Sequence, residues 1–177
     1  VDFIGLFHFG SFMQPIQNVA IIGAGNMGSG IAQKTAQEEF DVQMVDREDK
    51  WVDRGMTIIS DFLAEAIERR IFSPQQVEEI QGRIKGVVGT ENTAKETDLV
   101  IEAVFEDFNI KTEVFNTLNE VCGEKTILAS NTSSLSVDDL AKASGRADRF
   151  VGLHFFYHPA KNRLVEVIPG SVTSTET

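Results

Sequence analysis

Hydrophobic positions along this chain change period several times, and each change marks an element. Asn18-Val-Ala-Ile-Ile22 is a continuous apolar run that breaks into glycines, and from Gly25 to Phe40 the positions Met27, Ile31, Thr35 and Ala36 fall at helical spacing. Val42-Gln-Met-Val-Asp46 then reads as a second strand ending in an acid. Next, Val52, Met56, Ile59, Phe62 or Leu63, Ala66 and Ile67 recur every three or four residues among Asp53, Asp61, Glu65, Glu68, Arg69 and Arg70. That pattern predicts an amphipathic helix of about five turns. Ser73-Pro-Gln-Gln76 is a capping box with proline at the first helical position, so a second helix starts there and stops at Gly82.

The remainder alternates strand and helix. Lys85–Gly89 predicts a short strand, and Asp98–Phe105 a stronger one, apolar enough to be covered on both faces. Asp107 caps a helix over Phe108–Val121 whose apolar face is Ile110, Val114, Phe115, Leu118 and Val121, with Gly123 closing it. Thr126–Ala129 is another buried strand, followed by the polar turn Ser130–Leu135 and a short helix from Ser136 to Gly145. The last apolar segments are Phe150–His154 and Arg163–Ile168. Two helices in a row after Asp46 exceed what a strand–helix–strand crossover needs. They read either as a pair packed on the sheet or as an arm over a long ligand.

Length and charge narrow the partners. A chain of 177 residues is one domain by size. With 27 acidic against 16 basic residues, net charge −11, and no basic stripe, nucleic acid and anionic membrane are excluded as partners. No apolar run reaches the roughly 18 residues that span a bilayer. The single Cys122 forms no intramolecular disulfide or metal cluster and fits a cytoplasmic setting; no metal-ligand spacing occurs elsewhere. Met13 stands directly before the first strand, so residues 1–12 read as a tag or leader and residues 13–177 as the domain.

The chemistry lies where strands end. Gly23-Ala-Gly25-Asn26-Met27-Gly28 is a dinucleotide cradle: Gly23 permits the tight turn, Gly25 the approach of a pyrophosphate, and Gly28 close packing of helix on strand. The helix N-terminus faces the anion. Asp46, 23 residues after Gly23, is placed to accept hydrogen bonds from an adenosine ribose, for which about 20 residues is usual. If the last two strands pair antiparallel about Ala160, His154 lies opposite Glu166, with Cβ atoms about 5 Å apart. A histidine facing a glutamate at the carboxyl edge of such a sheet is a general-base candidate. The serines at 130, 133 and 134 have no histidine beside them in sequence, which disfavours acyl-enzyme chemistry.

Five motifs together resemble the 3-hydroxyacyl-CoA dehydrogenase family in its N-terminal, NAD-binding domain. They are Ile22-Gly-Ala-Gly-Asn-Met-Gly-Ser-Gly30, Asp98-Leu-Val-Ile-Glu-Ala-Val-Phe-Glu106, Ala129-Ser-Asn-Thr-Ser-Ser-Leu135, Gly152-Leu-His-Phe-Phe156 and Leu164-Val-Glu-Val-Ile168. The match runs from Gln17 to Pro169. It implies a Rossmann-type, doubly wound, mostly parallel α/β sheet with an inserted helical arm and antiparallel strands at the C-terminal end.

The resemblance also implies oxidation of L-3-hydroxyacyl-CoA with NAD, in β-oxidation or butanoate-type metabolism. His154 is then the catalytic base and Glu166 its partner, with Ser133 and Asn131 beside the reacting oxygens and the nicotinamide. Gly23, Gly25, Asn26, Met27, Gly28, Asp46, Ala103, Val104, Glu106, Lys111 and Ser133 hold the cofactor. Ser60 and Arg70 on the arm contact coenzyme A. Where the family commonly has asparagine three residues after the histidine, this chain has Tyr157, followed by His158. The family continues into a helical C-terminal domain that provides dimer contacts, and this sequence stops at Thr177, so the full-length protein is expected to be a homodimer. Two other readings stay open at this point: a gulonate-type sugar-acid dehydrogenase, which shares the glycine turn and the His–Glu pair, and an NAD-binding module without turnover of its own.

Overall fold

In the computed structural model residues 15–177 are described, and the reading of residues 1–12 as a tag or leader lies outside them. Seven strands among these residues form one sheet: β1 (Asn18–Ile22), β2 (Asp41–Asp46), β3 (Ile84–Val88), β4 (Leu99–Glu102), β5 (Ile127–Ser130), β6 (Phe150–Phe155) and β7 (Val165–Pro169). Their order is β3-β2-β1-β4-β5-β6-β7. Neighbours are parallel except β6 and β7, which run antiparallel. The chain starts in the middle, builds outward through β2 and β3, then returns to lay β4 against the other side of β1. That reversal opens a crevice at the carboxyl ends of β1 and β4, where open α/β sheets bind their ligands.

Both faces of the central strands β1, β4 and β5 are covered, which explains their unbroken apolar runs, whereas β7 lies largely exposed. Val19 and Ile21 of β1 point into a core shared with α1 (Asn26–Gln37), α2 (Asp49–Glu68) and α3 (Pro74–Gly82). Ala20 and Ile22 point the other way, into a core with Phe115 and Leu118 of α4 (Phe108–Val121) and Leu140 of α5 (Val137–Ala143). Each fully buried Ile, Leu, Val or Phe contributes about 1.5–3 kcal/mol of transfer free energy, so the two layers hold the sheet from both sides.

The inserted pair α2–α3 is packed on the sheet. Val52, Ile59, Leu63 and Ala66 of α2 and Val77 and Ile80 of α3 are buried, while Ser60, Asp61 and Arg70 face out. The capping box forms as the sequence predicts, with the Ser73 hydroxyl and the Gln76 side chain bonded reciprocally. Gly55 lies where α2 crosses the glycine turn: a Cβ there would stand 2.8 Å from the Ala24 Cβ and from the Ala24 oxygen. A mid-helix glycine costs about 1 kcal/mol relative to alanine, and this close crossing is what requires it.

Several boundaries differ from the sequence expectation. β3 ends at Val88 because Gly89 takes a φ of +85°. β4 ends at Glu102 rather than Phe105. The Val104 N–H turns back to the Glu102 carboxylate at 2.7 Å, and Phe105 is 79% exposed. On α4 it is Lys111, not Ile110, that joins Phe115 and Leu118 on the buried side. Gly123 does not close that helix. Cys122 leaves it in extended conformation, and Arg146 donates to Asn119 O at 2.8 Å, to Cys122 O at 3.0 Å and to Gly123 O, which also accepts from the Thr126 N–H. A guanidinium can satisfy several terminal carbonyls at once, so no left-handed glycine is needed.

Candidate active site

The glycine turn leaves β1 directly into α1. Gly23 has a φ of +106°, and a Cβ on it would stand 2.7 Å from the Ala103 oxygen, so the turn lies against the segment that leaves β4. A Cβ on Gly28 would collide with the Gly23 carbonyl and stand 2.8 Å from its carbon. Glycine at 28 is what lets α1 start this close to β1. At Gly25, by contrast, a Cβ would meet nothing within 4 Å: the turn is open on that side. Helix α1 begins at Asn26 with no side-chain cap and no acidic residue in its first turn. The leading N–H groups of a helix have no intrahelical partner, and here Asn26, Met27 and Gly28 present theirs beside an open cradle. A pyrophosphate fits those donors.

Asp46 ends β2 beside this turn. Its carboxylate accepts from the Ala24 N–H at 2.8 Å and from the Arg47 N–H at 2.7 Å, which fixes it at the rim. A carboxylate held there suits a ribose hydroxyl.

The ends of β4 and β5 meet next. The 103–106 segment carries Ala103 and Val104 against the glycine turn, and Glu106 reaches across to the turn after β5. Its Oε1 accepts from the Thr132 hydroxyl, the Ser133 N–H at 3.0 Å, and the Ser134 N–H and hydroxyl at 3.2 Å each. Burial raises the pKa of Glu106, but the Thr132 hydroxyl, the Lys111 ammonium and the Ser133 N–H outweigh it and lower it to about 2. Lys111 is 1% exposed, with its ammonium 2.7 Å from Glu102 and 3.2 Å from Glu106. Its ammonium bridges the two carboxylates. Asn131 ties β5 to β6: its Oδ1 accepts from the Phe155 N–H at 2.8 Å, one residue beyond His154. Ser133 is exposed and lines a groove of about 330 Å³ that extends to Ile168 and Gly170.

β6 and β7 pair in the expected register, His154 opposite Glu166. His154 Nδ1 lies 2.9 Å from Glu166 Oε2. Because a carboxylate only accepts, Nδ1 is the donor in this contact, and in the neutral ring the lone pair is then on Nε2. Phe156 covers the imidazole at a ring distance of 4.5 Å. Beyond it Tyr157 is exposed. His158 packs on Phe62 of α2, with ring centroids 4.1 Å apart, so the link between the two strands is pinned to the helical arm. Gly30 permits this, with Pro159 Cδ only 3.0 Å from where its Cβ would be.

The structure therefore gathers the glycine turn, residues 103–106, residues 131–135 and His154 along one carboxyl edge, on the adjacent strands β1, β4, β5 and β6. Ser60, midway along α2, and Arg70, just past its C-terminus, are exposed on the arm. Sequence reasoning passed over Glu102 and Thr132. An acid inside the apolar strand Leu99-Val-Ile-Glu102 was the available signal, because a buried carboxylate requires a partner.

A family model described as "3-hydroxyacyl-CoA dehydrogenase, NAD binding domain" matches residues 18–177. The chain is 39% identical over 159 residues to a 3-hydroxybutyryl-CoA dehydrogenase of Clostridioides difficile, covering 90% of this chain and 56% of that protein. It is 40% identical over 162 residues to a fatty acid oxidation complex subunit alpha of Acinetobacter baumannii, covering 92% of this chain and 22% of that one. Among solved structures, the (S)-3-hydroxybutyryl-CoA dehydrogenase of Ralstonia eutropha superposes with a TM-score of 0.87 at 39% identity, over 90% of this chain and 56% of the other. The chain thus spans little more than half the length of these dehydrogenases. With its glycine turn, its mostly parallel sheet and this match over nearly all described residues, the chain belongs to the 3-hydroxyacyl-CoA dehydrogenase family, as its NAD-binding domain.

Proposed function

We propose that the protein oxidises L-3-hydroxyacyl-CoA to 3-oxoacyl-CoA, reversibly and with NAD, in fatty-acid β-oxidation or butanoate-type metabolism. The observation that carries this reading is the contact between His154 and Glu166 at 2.9 Å. NAD, when bound, supplies the acceptor for the hydride that leaves C3. Gly23, Gly25, Asn26, Met27 and Gly28 hold its diphosphate, Asp46 its adenosine ribose, and Ala103, Val104 and Glu106 the segment nearer the chemistry.

His154 Nε2 takes the hydroxyl proton in oxidation and returns it in reduction. Glu166 keeps the ring in the tautomer that leaves Nε2 free, and its charge offsets the imidazolium that forms. General-base catalysis of this kind contributes about 10²–10⁴ in rate. Ser133 offers its hydroxyl to the reacting oxygen. Asn131 spends its carbonyl on the Phe155 N–H, which leaves its NH₂ to donate into the cleft. Asp46 disfavours a 2′-phosphate and so favours NAD over NADP. Ser60 and Arg70 on the exposed side of the arm bind the coenzyme A portion, and the intact protein is a homodimer.

The test follows NADH absorbance with acetoacetyl-CoA in the intact protein, with a keto sugar acid as the competing substrate. His154→Ala should lower kcat by about 10²–10⁴ and leave NADH affinity within about twofold of wild type. Near-normal turnover by this variant would remove His154 from the role, and preference for the keto sugar acid would replace the substrate class.

A further inference from the structure

Glu102 is the charge that the proposed chemistry leaves unused. It sits on β4 with 0% exposure. Its Oε1 accepts from the Lys111 ammonium and the Val104 N–H, each at 2.7 Å, and its Oε2 from the Ser130 hydroxyl at 2.6 Å. The Ser130 oxygen in turn accepts from the Thr132 N–H at 3.2 Å. On its other side Lys111 faces Glu106 at 3.2 Å. Thr132, also buried, donates its hydroxyl proton to Glu106 and accepts from the Leu135 N–H at 3.0 Å and the Ser134 N–H at 3.4 Å. One continuous network thus joins the ends of β4 and β5, the first turn of α4 and the turn that carries Ser133.

Stability alone does not account for it. A buried ion pair contributes no more than well-packed apolar residues of the same volume, and often less. What it adds is geometry: charged and hydroxyl donors with fixed directions leave the turn a single arrangement.

We propose that Glu102, Lys111 and Thr132 are positioning residues of the active site: a buried ionic strut that locks Glu106 onto the 132–135 turn and thereby sets where Ser133 stands in the cleft. None of the three touches substrate. They act through Glu106, whose carboxylate then serves two faces, the turn behind it and the cofactor in front. The inference rests on the proposed dehydrogenase reaction only for its kinetic readout. NADH affinity reads it without any acyl substrate.

The experiment compares wild type, Thr132→Val, Thr132→Ser and the double variant Glu102→Gln/Lys111→Met in the intact protein. Valine keeps the volume of threonine and deletes the donor to Glu106. Misplacement of a reacting group by about 1 Å costs about 10²-fold, so Thr132→Val should lower kcat by about 10- to 100-fold while KM for acetoacetyl-CoA changes by less than about threefold. Without that hydroxyl, the Glu106 pKa moves up toward the ordinary value of about 4.3. NADH affinity should then fall on its acid side at a higher pH in Thr132→Val and in the double variant than in wild type.

Thr132→Ser should restore both kcat and the acid limb. A wild-type kcat and acid limb in Thr132→Val would overturn the proposal, as would a folded Thr132→Ser that restores neither. Should the protein bind NADH but reduce no acetoacetyl-CoA, the functional reading fails while the acid limb still decides this one.

Discussion

Replacing Lys111 by methionine keeps a long, unbranched stem in its buried channel and removes only the charge. In the native fold the ammonium is 2.7 Å from Glu102 Oε1, with side-chain exposures of 1% and 0%. After the change Glu102 retains the Val104 N–H and the Ser130 hydroxyl, but it has no counter-charge and no access to water. Removing one partner of a buried pair costs about 3–5 kcal/mol, against a total stability of about 5–15 kcal/mol. At about 2–4 °C per kcal/mol for a domain of this size, Tm should fall by about 6–20 °C. The double variant Glu102→Gln/Lys111→Met discards both charges together and should lie within about 1–2 kcal/mol of wild type. Circular dichroism melts of wild type, both single variants and the double variant complete the cycle. A Lys111→Met protein melting within about 2 °C of wild type would refute the reasoning, because an uncompensated buried carboxylate cannot be that cheap.

Other expectations follow from single contacts. Gly28→Ala forces α1 away from β1, since its Cβ would stand 2.8 Å from the Gly23 carbonyl carbon; a loss of about 1–3 kcal/mol and weaker NADH binding by titration calorimetry are expected, and unchanged affinity would count against the cradle. Arg146→Met removes the guanidinium that donates to the carbonyls of Asn119 and Cys122 and shares that of Gly123 with the Thr126 N–H, so urea unfolding should show a loss of about 1–3 kcal/mol at an unchanged m-value. Burial and the nearby Lys161 hold the His158 pKa below 6.5. The unfolded chain therefore binds a proton that the folded chain resists, and stability should fall as pH drops below about 6.5. In His158→Phe that slope should flatten in melts from pH 7.5 to 5, and an unaltered slope would assign it to other groups.

The strands and helices were legible wherever side chains repeat with a period or where glycine and proline leave no choice. The Ser73 cap, the glycine turn and the α2 stripe depend on residues a few positions apart, so the local sequence contains the whole interaction. Even the His154–Glu166 pairing was readable, because a short antiparallel connection fixes register by counting from its centre. Errors arose where a distant side chain intervened. β4 stops at Glu102 because that carboxylate recaptures the Val104 N–H. Lys111 displaces Ile110 from the buried face of α4 because Glu102 waits beneath it. Helix α4 ends without its glycine because Arg146, 23 residues beyond Gly123, occupies the carbonyls.

By itself the sequence determined the α/β class, the dinucleotide turn and the register that faces a histidine with a glutamate, since each follows from backbone constraints over short spans. Only the tertiary structure decided what surrounds them. It drew Glu102, Ser130, Lys111, Glu106 and Thr132 into one network and set the ammonium of Lys111, which the family resemblance places at the cofactor, between two carboxylates. It also pinned the strand connection to the arm through His158 and Phe62. A buried charge is tolerated only where partners from several elements converge, and that convergence is a property of the packed sheet that no single stretch of chain encodes.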